Sequence, residues 1–180
     1  ALLALGELGD ERAVDPILEL FDEDNTELRG YVYGVFGPEL YEAALPKLLK
    51  RLNDSSASEL MRSGVAWVLH AYKDEVVINA LIDAMKTESI LVKESAINSL
   101  GMIGNAVATE ELITQLEEID GRIRAAAARA LGRLNDKSAI YPLMKTLQDV
   151  DHEVRKRSLE SLGVLQASEA TKEIIERLQD

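Results

Sequence analysis

The stretch GYVYGVFGPELY, residues 30 to 41, gathers three glycines, three tyrosines, Phe36 and Pro38. Closely spaced glycines such as Gly30, Gly34 and Gly37 suit a phosphate-cradling loop, a membrane packing motif or a strand turn. A second candidate is His152 beside Glu153, two ligand types that first-row metals accept. The only other histidine, His70, is followed by Ala71, so too few ligands exist for a metal site. The carboxylates are numerous, but no spacing singles out an acid/base pair, and no Ser/His/Asp or phosphate-loop grouping stands out. The expectation is no catalytic residue, no metal and no cofactor.

Charge and composition narrow the classes further. The net charge of −12 argues against general nucleic-acid binding and against anionic membranes. No apolar run approaches the roughly 18 residues of a membrane span. The opening ALLALGELGD has no basic segment before its apolar residues and so does not read as a signal peptide. It lacks an initiating Met, which suggests a fragment or processed chain. The absence of cysteine excludes disulfides and thiolate sites and fits a cytoplasmic protein.

The elements that position these residues emerge from an internal repeat. Gly6, Gly37, Gly101, Gly132 and Gly163 are separated by 31, 64, 31 and 31 residues. The double step holds His70, 33 after Gly37 and 31 before Gly101, so six registers exist, with one two-residue insertion. Eight residues before a marker stands a cation: Arg29, Arg62, Lys93, Arg124 and Arg155. Seven after stands a small or β-branched residue. At plus 11 come Ile17, Leu48, Leu81, Leu112, Leu143 and Ile174; the plus 12 and plus 15 columns are likewise apolar. Those spacings line one face of a helix. Each copy is therefore two amphipathic helices, the first running from cation to marker.

Helix breaks are marked chemically. LGELGD and LGRLND offer Gly or Asn for a left-handed terminus and then Asp to cap the next helix. Pro16 and Pro142, ten after their markers, place the regular second helix near the proline, with a turn or 3₁₀ segment before it. Ser56 and Glu59 have capping-box spacing. Asp120 and Asp151 each precede an arginine by four, giving acid-to-base helix pairs.

One helix pair cannot bury both of its apolar faces, so pairs must stack. HEVRKRSLESLGVL and ALGELGDERAVDPILELF resemble the short HEAT-like repeat of the phycobilisome-lyase type, whose pattern is an acid, V-R, A-L-G-x-L-G-D, an Ala, an optional Pro and L-x-x-L. The resemblance implies an all-α fold, an α-solenoid wound as a right-handed superhelix of about six two-helix repeats. The copies run approximately 1–24, 25–55, 56–88, 89–119, 120–150 and 151–180 as a single repeat domain, the first copy truncated. His152-Glu153 is similar to one of the His-Glu metal dyads of deoxyhypusine hydroxylase, another HEAT-type protein, but that iron site needs several. The resemblance also implies that second helices line a concave face, with exposed positions at plus 10, 13, 14 and 17.

In this register Tyr33, Phe36 and Tyr72 fall in core columns. Trp67 shares a column with Leu3, Gly34, Asn98, Arg129 and Glu160, which reads as partly exposed; its indole either binds a partner or packs over Gly34. Tyr31 also sits among non-core residues, and Tyr41 stands at the turn. Exposed Trp and Tyr are enriched at binding hot spots. The stripe alternates in sign, with one basic island at Lys47, Lys50 and Arg51. The expectation is a non-enzymatic scaffold that binds another protein through Tyr31, Tyr41, Lys47, Lys50, Arg51 and Trp67, and neither nucleic acid nor membrane. Self-association through the truncated first repeat is a further expectation. The resemblance also raises a phycobilin lyase or phycobilisome-associated factor, with a biliprotein and a tetrapyrrole as ligands. A third reading, a HEAT-like DNA glycosylase, needs a basic concave groove, and the stripe is too acidic for it.

Overall fold

A computed structural model describes residues 2–22, 32, 35, 36 and 40–166, without the side chains of Leu2, Leu3 and Leu5. Among the described residues there are ten α-helices and no strand. The chain divides between Ser99 and Leu100 into two units. The first holds α1 (Leu2–Leu8), α2 (Val14–Glu19), α3 (Tyr41–Asn53), α4 (Glu59–Val68) and α5 (Glu75–Ala84). The division falls within α6 (Ile90–Ile103). The second unit continues with α7 (Thr109–Thr114), α8 (Gly121–Leu134), α9 (Ile140–Lys145) and α10 (His152–Val164). The fold class is the all-α solenoid of stacked helix pairs.

The apolar columns account for the core. Ile17, Leu48, Leu81, Leu112 and Leu143, all at plus 11, are at most 1% exposed. Phe21, Leu52, Met85 and Leu116 at plus 15 are buried with them, as are Ala13, Ala44, Val77, Ala108 and Ala139 at plus 7. Each large side chain withdrawn in this way contributes about 1.5–3 kcal/mol. Phe36 and Tyr72 are buried as their columns require. Tyr33 lies outside the described residues.

Helix termini follow the expected chemistry with one correction. Gly9, Gly104 and Asn135, each three residues past a marker, adopt left-handed conformations with φ of 64°, 71° and 54°. The next residue then caps a 3₁₀ turn: Asp10 accepts from Arg12 N at 2.9 Å, Asn105 from Val107 N at 3.0 Å and Asp136 from Ser138 N at 3.0 Å. Pro16 and Pro142 stand third in α2 and α9, where an N–H would have no helical partner. Ser56, however, caps nothing. Asp54 accepts from its amide at 2.9 Å and its hydroxyl at 2.6 Å, which uses the serine in a local turn. Ser58 is the cap of α4 instead, accepting from Met61 N at 3.0 Å. The two extra residues of this copy lie in that turn, between the cores of α3 and α4.

The marker glycines do not end helices. Gly101 and Gly132 lie inside α6 and α8, at points of close approach to the next first helix. A Cβ on Gly132 would stand 2.6 Å from Ser161 Cβ, and one on Gly101 would stand 2.9 Å from Ala130 Cα. In the first unit a Cβ on Gly6 would stand 2.5 Å from the Val35 carbonyl oxygen. The close approach also lets serines two residues before a marker reach back one copy. Ser99 Oγ donates to the Ala66 carbonyl at 2.8 Å, and Ser161 Oγ donates to the Ala128 carbonyl at 2.8 Å. Where the marker is His70, α4 stops at Val68 and the chain tightens into a 3₁₀ turn over Leu69–Ala71.

Candidate functional site

The second helices carry the most regular exposed surface, rotated by one residue from the expected stripe. In every described copy the positions at plus 9, 13 and 16 are exposed. In the first unit they read Asp15, Glu19 and Asp22 on the first copy and Pro46, Lys50 and Asn53 on the second. The third copy adds Asn79, Asp83 and Lys86. In the second unit they are Glu110, Thr114 and Glu117, then Tyr141, Lys145 and Gln148. The expected plus 14 residues turn inward instead: Ala84 and Thr146 are buried. Spacings of 4 and 3 make the observed ridge one helical stripe.

The basic island is largely committed to its neighbours. Lys47 Nζ pairs with Asp15 at 2.7 Å, and Arg51 pairs with Glu19 at 2.8 Å, so both cations clamp α3 to α2. Both pairs stand at the surface, where each contributes about 0–1 kcal/mol. Lys50 is exposed between them on the ridge.

The aromatic candidates separate. Tyr41 opens α3, donates its hydroxyl to Asp74 and tilts against the buried Tyr72 ring with centroids 5.0 Å apart. The Asp74 hydrogen bond raises the Tyr41 phenol above its ordinary value, and burial pushes Tyr72 up to about 12. Neither phenol is therefore an acid or base near neutral pH. Trp67 is half-buried on α4, with the His70 ring 5.5 Å away. His70 Nδ1 donates to the Trp67 carbonyl at 2.5 Å, which folds the imidazole onto the indole. Tyr31 and Gly34 lie outside the described residues, so the packing of Trp67 over Gly34 does too.

Tyr141 was hidden in the sequence by its setting among apolar residues. The residue is 67% exposed, with Lys145 Nζ 4.9 Å from the ring centroid. The signal was available, because Asp15, Pro46, Asn79 and Glu110 share its column.

Arg62, Arg124 and Arg155 of the cation column are structural, by a different bond from the expected one. Asp120 caps α8 through Arg122 N and pairs with the Arg122 side chain at 2.7 Å; these bonds hold it near a pKa of 2. Arg124 reaches elsewhere. Its Nη1 donates to the carbonyls of Glu118 and Ile119 at 2.8 Å, while Nε and Nη2 grip Asp149 at 2.7 Å. Arg155 Nη1 likewise donates to the carbonyls of Asp149 and Val150 at 2.7 and 3.1 Å, and Arg62 Nε to that of Leu52 at 3.0 Å. An arginine at this position closes the preceding turn, because carbonyls at a second helix's end lack helical donors. The guanidinium pulls the Asp149 carboxyl below its ordinary range.

His152 is exposed, with Nδ1 3.9 Å from Asp151, and Glu153 pairs with Arg157 at 2.7 Å. Among the described residues no group of three or more His, Cys, Asp or Glu is placed to hold a metal ion. No helix among them is long and apolar enough to cross a membrane.

Known proteins share this architecture. The chain is similar to the phycocyanin lyase complex of CpcE and CpcF from Nostoc sp. PCC7120, at 23% identity and a TM-score of 0.73, over 84% of this chain and 99% of that one. It is similar to human deoxyhypusine hydroxylase at 19% identity and a TM-score of 0.64, over 93% of this chain and 67% of the other. A designed armadillo repeat protein in complex with the peptide (KR)4 matches at 18% identity and a TM-score of 0.62, over 85% and 82%. At these identities the likeness concerns the fold. No curated protein matches the sequence. The family model of the PBS lyase HEAT-like repeat matches residues 1–23, and that of HEAT repeats matches 45–122 and 109–180. With its docking glycines, capped 3₁₀ turns and buried columns, the chain belongs to the HEAT-repeat family.

Proposed function

We propose that this chain is a non-enzymatic scaffold that binds a polypeptide along its second-helix ridge. The observation that carries the reading is the ridge of the first unit, where three successive second helices expose the same three positions. Its chemistry changes from acidic at Asp15, Glu19 and Asp22, through Lys50, to mixed at Asp83 and Lys86. Such sign changes select one sequence of partner charges over others. A ridge of side chains held at a fixed repeat is a natural track for an extended chain. Tyr31, Tyr41 and Trp67 stay in the proposal as its aromatic part, with Lys50 as the principal cation and Lys47 and Arg51 as supports that hold α3 in place. The test is affinity capture from the native host, then titration of the identified partner against the wild type and Lys50→Glu. Affinity should fall about tenfold, and equal affinity in the two proteins refutes the ridge as the site.

A second reading is a bilin lyase or phycobilisome-associated factor. It draws support from the PBS lyase HEAT-like match at residues 1–23 and from the likeness to the CpcE and CpcF complex. In that reading a biliprotein and a tetrapyrrole are the ligands, and Trp67 shelters the bilin. Co-isolation of a phycobiliprotein, with bilin transfer lost in Trp67→Ala, would favour it over the first.

A further inference from the structure

Two side chains of the second unit stand almost wholly in solvent although they are apolar: Ile119 is 97% exposed and Val150 is 94% exposed. They hold the same place in adjacent copies, immediately before the capping residues Asp120 and Asp151. The repeat does not need an apolar residue there, since Glu88 fills the equivalent position of the preceding copy and is exposed.

Both residues sit on pinned backbone. Arg124 binds the Ile119 carbonyl at 2.8 Å and Arg155 binds the Val150 carbonyl at 3.1 Å. Arg124 also grips Asp149, so a single guanidinium joins the two turns. A backbone already held in place loses little entropy on docking, so the cost is confined to the two side chains. Neighbouring helices lie about 8–10 Å apart, close to the roughly 11 Å between residues two turns apart on one face of a helical segment.

We propose that Ile119 and Val150 form a two-point apolar anchor for a basic amphipathic polypeptide segment. Charge selects this occupant. Residues 117–124 and 149–155 hold six acids against Arg122, Arg124 and Arg155, with Asp120 held by Arg122 and Asp149 by Arg124, and the whole chain carries −12, which opposes both a second copy and an anionic membrane. This inference concerns the second unit by itself and does not rest on the ridge of the first.

The probe is a labelled 14-residue helical peptide with Leu on one face and Lys on the other, followed by fluorescence anisotropy against the full chain. Each of Ile119→Asn and Val150→Asn should weaken binding about fivefold to tenfold, and the double variant more, while circular dichroism stays unchanged because both sites are exposed. A Lys-only peptide of the same length should bind far more weakly than the Leu-bearing one. Equal binding of the two peptides, unchanged affinity in the double variant, or no binding to the wild type would each overturn the proposal. So would sedimentation that reveals a wild-type dimer which the double variant loses. Lys50→Glu should leave this affinity unchanged, which separates the anchor from the ridge.

Discussion

Replacing Gly132 with Ala tests the reason for the repeat's glycine. On an isolated helix the change should stabilise, since Ala exceeds Gly by about 1 kcal/mol in helix propensity. Here the new Cβ would lie 2.6 Å from Ser161 Cβ and 2.9 Å from Ser161 Cα, well inside the carbon separation of about 3.5–4.0 Å that dispersion favours. α8 and α10 must therefore separate by the order of 1 Å. Overpacking of this kind costs about 1–3 kcal/mol. The separation also stretches the 2.8 Å bond from Ser161 to the Ala128 carbonyl, at about 1 kcal/mol more. The net effect is a loss of about 1–3 kcal/mol. Native-state hydrogen exchange at the α8 and α10 amides reads it without assuming a single unfolding transition. Ser161→Gly in the same chain should recover much of the loss, giving a positive coupling in the double-mutant cycle. A Gly132→Ala protein as protected as the wild type would refute the argument that close approach dictates the glycine.

Other perturbations test the remaining contacts. Ser58→Ala should cost about 1 kcal/mol in urea unfolding through loss of the α4 cap, whereas Ser56→Ala should cost under about 0.5. Asp149→Asn should cost about 2 kcal/mol, between an exposed and a fully buried pair, because Arg124 loses its partner. The pH dependence has a definite sign: the folded pKa of Asp149 lies below its ordinary 3.8. The pair's contribution is therefore complete above about pH 5 and lost as pH falls through the folded value. Asp149→Asn should flatten the stability profile in that acid range, measured by unfolding between pH 2 and 6. Arg51→Ala should change stability by less than about 1 kcal/mol, and half a molar salt should erase most of the difference.

The sequence carried the fold because period and chemistry agreed copy after copy. A column holding Ile17, Leu48, Leu81, Leu112 and Leu143 has only one use in a helix pair, and those residues are buried. Left-handed Gly9 and Asn135 followed by capping aspartates were equally legible, since few other residues serve there. What spacing could not give was the partner of each charged side chain. Asp120 and Arg124 stand at the favoured four-residue interval, yet the guanidinium turns to open carbonyls and to Asp149, 25 residues away. A guanidinium has five donors, and the open carbonyls together with Asp149 use them, while the half-buried Asp120 carboxylate is already bonded to Arg122. The same limit hid the cross-copy pairs of Lys47 and Arg51. The ridge was misplaced by one residue because apolar columns fix where a helix is buried more sharply than how far a neighbour covers its flank.

The docking glycines have a consequence for folding. Arrays of near-identical copies are prone to misassembly, because one copy can pair with the wrong neighbour. Here each join is different. Gly6 meets the Val35 backbone, Gly101 meets Ala130 and Gly132 meets Ser161. A copy shifted by one place would set Ala130 where Ser161 belongs, and the hydroxyl bond to the Ala128 carbonyl would be lost. Unequal neighbours therefore make a shifted pairing fit less well than the native one, even where the described copies share one outline.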